Sequence, residues 1–496
     1  MLRGTSHMQL LHARNQHSIG LLAAALVAGF ISISKSSAAE KTRPNVVILL
    51  NDDQGWMDIA CAGHPVIQTP AADRLAREGV RFTDMTAAFP VCSPSRAALL
   101  TGRDPNRFGM KHILNEGDKT SIPPFHQIPL EEPSLARLLK GVGYRTAHIG
   151  KWHVSLVERS HLGVATPTDY GFDHWMILGA GRTTSYFSSG WHLATGQTRT
   201  EGRWTAEVYV DEAIKFIEAG DGEPFFINLW SFSPHGEAQC SEEYMARYPD
   251  RTKQEQIYLG TITQQEDQYS RLLDYLDEKG LADNTIVIYS SDNGCDPHTI
   301  PWMENSRGNS GPFRGGKHNI YEAGIRVPGI VRWPGVAPAG LVVHQAVSLL
   351  DVMPTLCAAA GAEVPGGIPY DGADFRPALE GEPITRPHAL YWQYEMARSL
   401  LPEGPEFASP QLAMRRGPWK LMCDLGWKRV ELYNLDMDAA EKWNLATKHS
   451  DIADSMLEEM KAIHADINGD YARRAKFIHP AVDSPTYMNN YIGTPP

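Results

Sequence analysis

A large α/β fold is predicted, a mostly parallel sheet flanked by helices, with a smaller C-terminal antiparallel sheet plus helix. Three observations predict it. Apolar runs of strand length alternate with amphipathic stretches of helix length, the pattern that gives a largely parallel sheet. A Gly/Pro-rich passage at 362–387 (AEVPGGIPYDGADFRPALEGEPITRP) then breaks the periodicity. Beyond it come close-spaced strand-like runs and one amphipathic helix. With 496 residues, 42% hydrophobic and 21% charged, the chain is long enough for one big domain plus a smaller one.

Taken in order, residues 1–39 read as a signal peptide. The apolar stretch 19–34 follows Arg14 and precedes the small residues Ser36, Ser37, Ala38 and Ala39. It is short for a membrane span, which needs about 20 apolar residues, and no later stretch is apolar enough to cross a bilayer. A mature chain starting near Glu40, secreted or periplasmic and with no membrane partner, is expected; Met8 is an alternative start. The main domain is expected over 40–387, with strands at 45–50, 145–149, 225–230 and 285–289. Its helices are expected at 71–78, 134–139, 208–218, 256–278 and 349–360. A C-terminal subdomain, 388–496, is expected to hold strands at 389–394, 411–415, 419–425 and 430–433. A helix over 452–467 follows, with Ile452, Met456, Met460 and Ile463 along one face.

A net charge of −12 leaves no footprint for nucleic acid or an anionic membrane, so an anionic substrate needs local basic groups. The six cysteines do not form a disulfide framework, and none has CxxC spacing. If Cys92 is functional, the other five allow at most two bridges.

Four predicted strands end in polar residues, and ligands in open α/β sheets bind beyond the carboxyl ends of strands. VVILL runs into Asn51, Asp52 and Asp53, and TAHIG into Lys151, Trp152 and His153. FFINLWSFS runs into Pro234 and His235, and TIVIYSS into Asp292, Asn293 and Gly294. Asp52, Asp53, Asp292 and Asn293 offer oxygen donors without soft ones, a set suited to Ca²⁺ or Mg²⁺. The same residues have plainer uses, since an Asp pair after a strand caps helices and Asn-Gly makes hairpin turns. His153 and His235 are candidate general acids or bases, or else satisfied structural histidines. Arg96 and Lys151 are candidate holders of an oxyanion, or ordinary surface charges. In Gly315-Gly316-Lys317 the glycines allow close backbone approach, so that Lys317 reaches a ligand; the alternative is a flexible turn with an exposed lysine.

The run Cys92-Ser93-Pro94-Ser95-Arg96, followed by Thr101-Gly102-Arg103, says most about function. Its plain reading is a helix start, with Ser93 as N-cap, Pro94 at the first helical position and Cys92 merely buried beside them. Taken with NDDQGW, GKWH, SPH, SDNG, the GGK passage, MRRGPWKL and ELYNLDMD, it gives the chain another reading. Over essentially its whole mature length the chain resembles the formylglycine-dependent (type I) sulfatases of the alkaline phosphatase superfamily. The resemblance implies that a maturation enzyme oxidises Cys92 to formylglycine, whose hydrate is the nucleophile. A geminal diol keeps a second hydroxyl whose deprotonation expels sulfate, whereas a serine or thiol ester waits for water.

The resemblance also implies one Ca²⁺ held by Asp52, Asp53, Asp292, Asn293 and modified Cys92. Arg96 and Lys151 then stabilise the diol oxygen, Lys317 and His235 face the sulfate and leaving alcohol, and His153 is the base. Gly236 and His318 depart from what many relatives carry beside His235 and Lys317, which bears on substrate choice. His112, Arg182, His298, Trp302 and Arg314 lie in loops that either line the outer pocket or simply pack. The expected activity is hydrolysis of sulfate monoesters, on a sulfated carbohydrate such as polysaccharide or glycosaminoglycan fragments. The alternatives are a phosphonate or phosphate ester hydrolase on the same fold, and a non-catalytic glycan-binding protein with unmodified Cys92.

Overall fold

Strand β1 (Asn45–Asn51) is apolar at consecutive positions, which suits a strand covered on both faces. Val46, Ile48 and Leu50 enter one core and Val47 and Leu49 the other, as the two-residue period of a strand dictates. The structure, a computed structural model, describes residues 43–114, 127–157, 164–178, 186–187, 190–200, 202–296, 308–397 and 408–478. The signal-peptide stretch 1–39 lies outside them. Among the described residues no helix is long and apolar enough to cross a membrane.

The sheet continues through β2 (Val80–Thr86), β3 (Arg145–Gly150), β4 (His174–Leu178), β5 (Gly190–Leu193) and β6 (Thr198–Thr200). It is completed by β7 (Phe225–Trp230), β8 (Thr285–Ser291), β9 (Arg326–Arg332), β10 (Leu341–Val343) and β11 (Val347–Ser348). The order is β10-β2-β9-β8-β1-β7-β3-β4-β5-β6, with β11 also on β2. Strands β8, β1, β7, β3 and β4 are mutually parallel, whereas β9 runs antiparallel between β8 and β2, and β5 and β6 run antiparallel at the far edge. Register then sets the site. Leu50 pairs with both Trp230 and Ser290, and Trp230 pairs with Gly150, so four parallel strands stop level. The ladder runs one step past them, Lys151 N–H donating to Trp230 O (2.8 Å) and Asp292 N–H to Asn51 O (3.0 Å).

Helices cover both faces. Apolar sides of α1 (Pro70–Glu78), α4 (Thr205–Glu218) and α6 (Lys253–Glu278) pack with Val47 and Leu49; those of α2 (Cys92–Thr101), α3 (Leu135–Gly141) and α8 (Val352–Ala360) pack with Val46, Ile48 and Leu50. The one-turn helices α5 (Glu242–Met245), α7 (Glu322–Ile325) and α9 (Arg376–Leu379) lie in connections. Helix α6 begins three residues before the predicted start because its first turn, Lys-Gln-Glu, is polar and held by a Thr252–Glu255 capping box. The predicted helix over 349–360 opens instead with a 3₁₀ turn, Leu349–Asp351, ahead of α8.

The second sheet, β12 (Leu390–Gln393), β13 (Leu412–Arg416), β14 (Trp419–Cys423) and β15 (Glu431–Asn434), is an antiparallel meander. Helix α10 (Ser450–Ile478) lays Met456, Met460 and Ile463 against one face. On the other face Trp392, Ala413 and Met422 pack with Phe89, Val91, Ile320 and Tyr321. These four residues flank Cys92 and Lys317, so the small sheet backs the site directly.

Helix α10 is tied down through Arg107, whose partner on the helix, Asp466, is half exposed while its other partner, Asp371, is buried. Arg107 donates to Asp371 through Nε (2.8 Å) and Nη2 (2.7 Å) and to Asp466 (2.7 Å), and His388 Nε2 meets Asp371 Oδ1 at 2.8 Å. Burial raises the Asp371 carboxyl, but Arg107 and His388 outweigh it and bring it to about 2. Burial lowers the His388 imidazole, and the Asp371 carboxylate overcomes that and leaves it raised. The His388 contribution is therefore complete below the ordinary value of 6.5 and is lost as pH rises through the raised one. Asp371's own contribution is lost only as pH falls below 3.8 towards about 2. The urea midpoint of the wild type should fall more steeply between about pH 6 and pH 8 than that of His388→Gln. Equal slopes would remove His388 from the anchor.

Candidate active site

Cys92 is the first residue of α2, with Val91 as an extended N-cap that makes no side-chain cap. The expected Ser93 cap is thus not formed. Ser93 Oγ instead accepts the N–H of Leu114 at 3.0 Å, stapling the segment after α2 to the helix start. Cys92 Sγ, a carboxylate oxygen from each of Asp52 and Asp53, and a ring nitrogen of His235 all lie within 4.8 Å of one another. Three segments distant in sequence meet here because β1 and β7 end level beside the start of α2.

Cations close around this group. Lys151 Nζ lies 2.5 Å from Asp52 Oδ2, and Lys317 Nζ 2.6 Å from Asp53 Oδ2. Arg96 donates from Nε to Asp292 Oδ2 (2.7 Å) and from Nη1 to the Lys151 carbonyl (2.8 Å). Asn293 Nδ2 donates to Asp53 Oδ1 (2.7 Å), and His235 Nε2 stands 3.6 Å from Asp53 Oδ2. Asp52, Asp53, Cys92, Arg96, Lys151, His235, Asp292, Asn293 and Lys317 are thereby joined in one cluster. His153 lies at its side, with Nε2 on the Leu114 carbonyl at 2.9 Å. Asp53, His153 and His318 all hold left-handed backbone, with φ of 63°, 58° and 72°. Such strain in non-glycine residues concentrates at functional sites.

The electrostatics follow from burial and pairing. Burial favours the neutral Asp52 carboxyl, but Lys151, His235, Arg96 and Lys317 outweigh it and hold it far below the usual range. Asp292, buried and facing the Asp52 charge, is pushed up to about 7 despite Arg96. Burial, with the Lys317 charge, brings His235 down to about 4, and burial drives His153 well below its ordinary value, so both imidazoles are neutral near pH 7. In His153 the proton must sit on Nε2, since a carbonyl only accepts. That leaves its buried Nδ1, which has no hydrogen-bond partner, as a lone pair ready for a proton. Burial pushes the Cys92 thiol up to about 12, against the pull of Lys151 and Lys317. As a thiol it is a poor nucleophile at neutral pH.

The donor set fits a hard divalent cation. Asp52 Oδ1 and Asn293 Oδ1 are buried oxygens without a hydrogen-bond partner, an arrangement that costs stability unless something positive meets them. Asp292 belongs beside them, though its oxygens are turned to Arg96 and, at 3.4 Å, to the Asp53 N–H. Only the Cys92 sulfur is too soft for such an ion, and an oxygen at that position makes the set uniform.

Sequence reasoning missed Asp58, at the end of the same NDDQGWMD run. Its buried carboxylate accepts from Gly55 N (2.9 Å), Asn309 N (3.0 Å) and Tyr258 Oη (2.7 Å). It clamps the loop after β1 to the segment leading into Gly315-Gly316-Lys317. The residue type was visible; its partner 251 positions away was not. Of the outer-pocket candidates, Arg314 stacks on Tyr321 (3.9 Å to the ring centroid) and donates to the Glu441 carbonyl, so it packs. His112 meets Tyr394. Arg182, His298 and Trp302 lie outside the described residues.

Comparison with known proteins places the chain among sulfatases. A family model for sulfatases matches residues 44–362, and one for the C-terminal region of N-sulphoglucosamine sulphohydrolase matches 311–466. The N-acetylgalactosamine-6-sulfatase of Sus scrofa is 34% identical over 379 residues, 70% of this chain and 68% of its own. The steryl-sulfatase of Mus musculus is 31% identical over 450 residues, 76% of this chain and 71% of its own. Among solved structures, Ps i-CgsB in complex with k-i-k-neocarrahexaose matches with a TM-score of 0.74 and 26% identity, over 87% of this chain and 94% of that one.

Proposed function

Since the chain belongs to the sulfatase family and is a sulfuric ester hydrolase, we propose that it acts on sulfated carbohydrate through an oxidised Cys92 and one Ca²⁺. The observation that carries the reading is the meeting of Cys92 with Asp52, Asp53 and His235 inside 4.8 Å, ringed by Arg96, Lys151 and Lys317. The carbohydrate reading draws support from the N-acetylgalactosamine-6-sulfatase relative and the neocarrahexaose complex. The apolar stretch at 19–34 supports export, where sulfated polysaccharide or glycosaminoglycan fragments are met.

Asp52, Asp53, Asp292, Asn293 and the oxygen on residue 92 would hold the ion, which supplies Lewis acidity to that oxygen and to a sulfate oxygen. Oxidation of Cys92 by a maturation enzyme gives an aldehyde whose hydrate supplies an oxygen nucleophile and a second hydroxyl. The protein's own groups do the rest. Arg96, fixed by Asp292 and the Lys151 carbonyl, and Lys151 stabilise negative charge on the residue-92 oxygen. Lys317 and His235, both on the Asp53 side, face the sulfate and the leaving alcohol. His153 takes up a proton at Nδ1, with Nε2 pinned to Leu114, when sulfate is released. The charges balance around a monoanionic ester. Three carboxylates offset three cations, so an added divalent ion leaves two positive charges for one sulfate ester and one alkoxide.

Side-by-side turnover of nitrophenyl sulfate, phosphate and phosphonate tests the reading, with sulfate expected to lead; a preference for either phosphorus ester would overturn it. Dialysis against a chelator should remove at least about nine-tenths of the sulfatase turnover, with Ca²⁺ restoring it. Active protein with no bound metal by elemental analysis would rule out the ion.

A further inference from the structure

We propose that Tyr186 is a positioning residue for the reaction: it aims the His235 imidazole by holding the His235 carbonyl and the Phe232 ring beside it. The inference rests on the mechanism above, in which His235 faces the sulfate and the leaving alcohol, and names what keeps it there.

The His235 ring has little of its own to fix it. Nδ1 is buried without a hydrogen-bond partner, and Nε2 stands 3.6 Å from Asp53 Oδ2, too far for a hydrogen bond. An imidazole so loosely tied keeps one orientation only if its backbone and its faces are held. Both are. The His235 N–H donates to Phe232 O (3.0 Å), closing the turn after β7. The Tyr186 hydroxyl donates to His235 O at 2.7 Å and reaches Phe232 O at 3.5 Å, so it grips both ends of that turn. The Phe232 and His235 rings lie against each other, with 4.9 Å between centroids and 33° between planes.

Tyr186 is itself anchored. Its carbonyl accepts the N–H of Thr205, the first residue of α4, at 2.8 Å, and next to it Phe187 forms an antiparallel bridge with Trp204. The residue is 3% exposed, and its ring packs on Phe232 with centroids 5.3 Å apart. Burial, and after it the Asp52 charge, raise the phenol well above its ordinary value, so the hydroxyl stays a proton donor throughout the working pH range. A carbonyl only accepts, so donor and acceptor match. Phe232 carries the hold one step further, since the Lys151 ammonium lies 5.7 Å from its ring centroid. Helix α4 thus braces two groups of the cluster through a single buried stack, Tyr186 on Phe232 and Phe232 on His235 and Lys151.

A double-mutant cycle tests this, with kcat/KM read on 4-nitrophenyl sulfate and on phenyl sulfate, whose leaving group is the poorer. Tyr186→Phe keeps the ring and removes the hydroxyl. It should lower kcat/KM about tenfold on the substrate that suffers more from His235→Ala, and less on the other. In a His235→Ala background the same change should cost less than about twofold, because nothing is left to aim. Phe232→Leu removes the ring beside the imidazole and covers the case in which the first variant does not fold; its loss should likewise be smaller in His235→Ala than in the wild type. Circular dichroism and a urea midpoint establish folding in each. Losses of equal size in the two backgrounds overturn the positioning and leave Tyr186 as packing. So does an unchanged Tyr186→Phe beside a His235→Ala that has lost turnover. Wild-type rates in His235→Ala on both substrates remove His235 from the mechanism, and this inference with it.

Discussion

Cys92→Ala should give a folded protein whose sulfatase turnover is lower by on the order of 10⁴-fold or more. Position 92 contributes little to the core: it is 1% exposed, but its side chain is small and ends in a polar cluster. Removing the sulfur should cost about 1 kcal/mol of stability. Chemically the same change removes everything. The remaining groups, Arg96, Lys151, Lys317 and His235, stabilise charge and move protons but offer no atom to bond sulfur. The unmodified thiol is no substitute, because burial holds it up at about 12 and leaves almost no thiolate at neutral pH. Wild-type protein in which mass spectrometry finds only the thiol should therefore resemble the variant, and activity should track the aldehyde fraction across preparations. Circular dichroism and a urea midpoint close to wild type establish that the loss is chemical. Retained turnover in Cys92→Ala would assign the nucleophile elsewhere.

Why the site could be read without coordinates follows from the sheet. In a parallel sheet every strand delivers its carboxyl end to one edge, so Asp52, Lys151, His235 and Asp292 are neighbours once β1, β3, β7 and β8 are recognised. Strands β1, β7 and β8 are legible because both faces are covered and each is mostly apolar, whereas β3 (RTAHIG) is only half so. The edges are not. Strand β9 (RVPGIVR) begins and ends in arginine and is interrupted by Pro328 and Gly329, which breaks the strand pattern, yet it is buried throughout. Arg326 and Arg332 are tolerated because Asp84 (2.9 Å) and Glu78 (3.1 Å) meet them from elsewhere in the chain. Gly329 is required where Met85 crosses, since a Cβ would lie 2.3 Å from that residue's own. Strand β2 (VRFTDMT) hides for the same reason, its Asp84 being paired only in three dimensions. Local pattern reports burial, whereas pairing over long separations must be seen. Asp58 and the hold of Tyr186 on His235 belong to the second kind.

Lys420→Met should destabilise the fold by about 3–5 kcal/mol, the cost of leaving buried carboxylates without their cation. Lys420 stands on β14 with Nζ 2.9 Å from Glu322 Oε1 and 2.8 Å from Glu441 Oε1, and all three side chains are at most 1% exposed. Arg326 shares Glu322 through Nε (2.7 Å), and Glu441 Oε2 accepts the Glu322 N–H (2.7 Å), so the cluster fastens α7 to the small sheet. With the ammonium gone, two carboxylates face each other across a dry gap. Glu441 is already raised to about 7 by burial and by the Glu322 charge, with Lys420 the main opposing influence. Losing Lys420 raises it further. A carboxyl whose folded value exceeds its unfolded 4.5 takes up a proton on folding, so the variant should regain stability as pH falls through that folded value. Lys420→Met combined with Glu441→Gln should recover part of the loss at neutral pH. Activity should suffer as well, because Glu322 lies five residues beyond Lys317 and a loosened α7 frees the loop that aims its ammonium at Asp53. Chemical denaturation at about pH 5.5 and pH 7.5, alongside KM for nitrophenyl sulfate, reads both effects. A pH-independent loss below about 1 kcal/mol would show that this buried pairing does not hold the two sheets together.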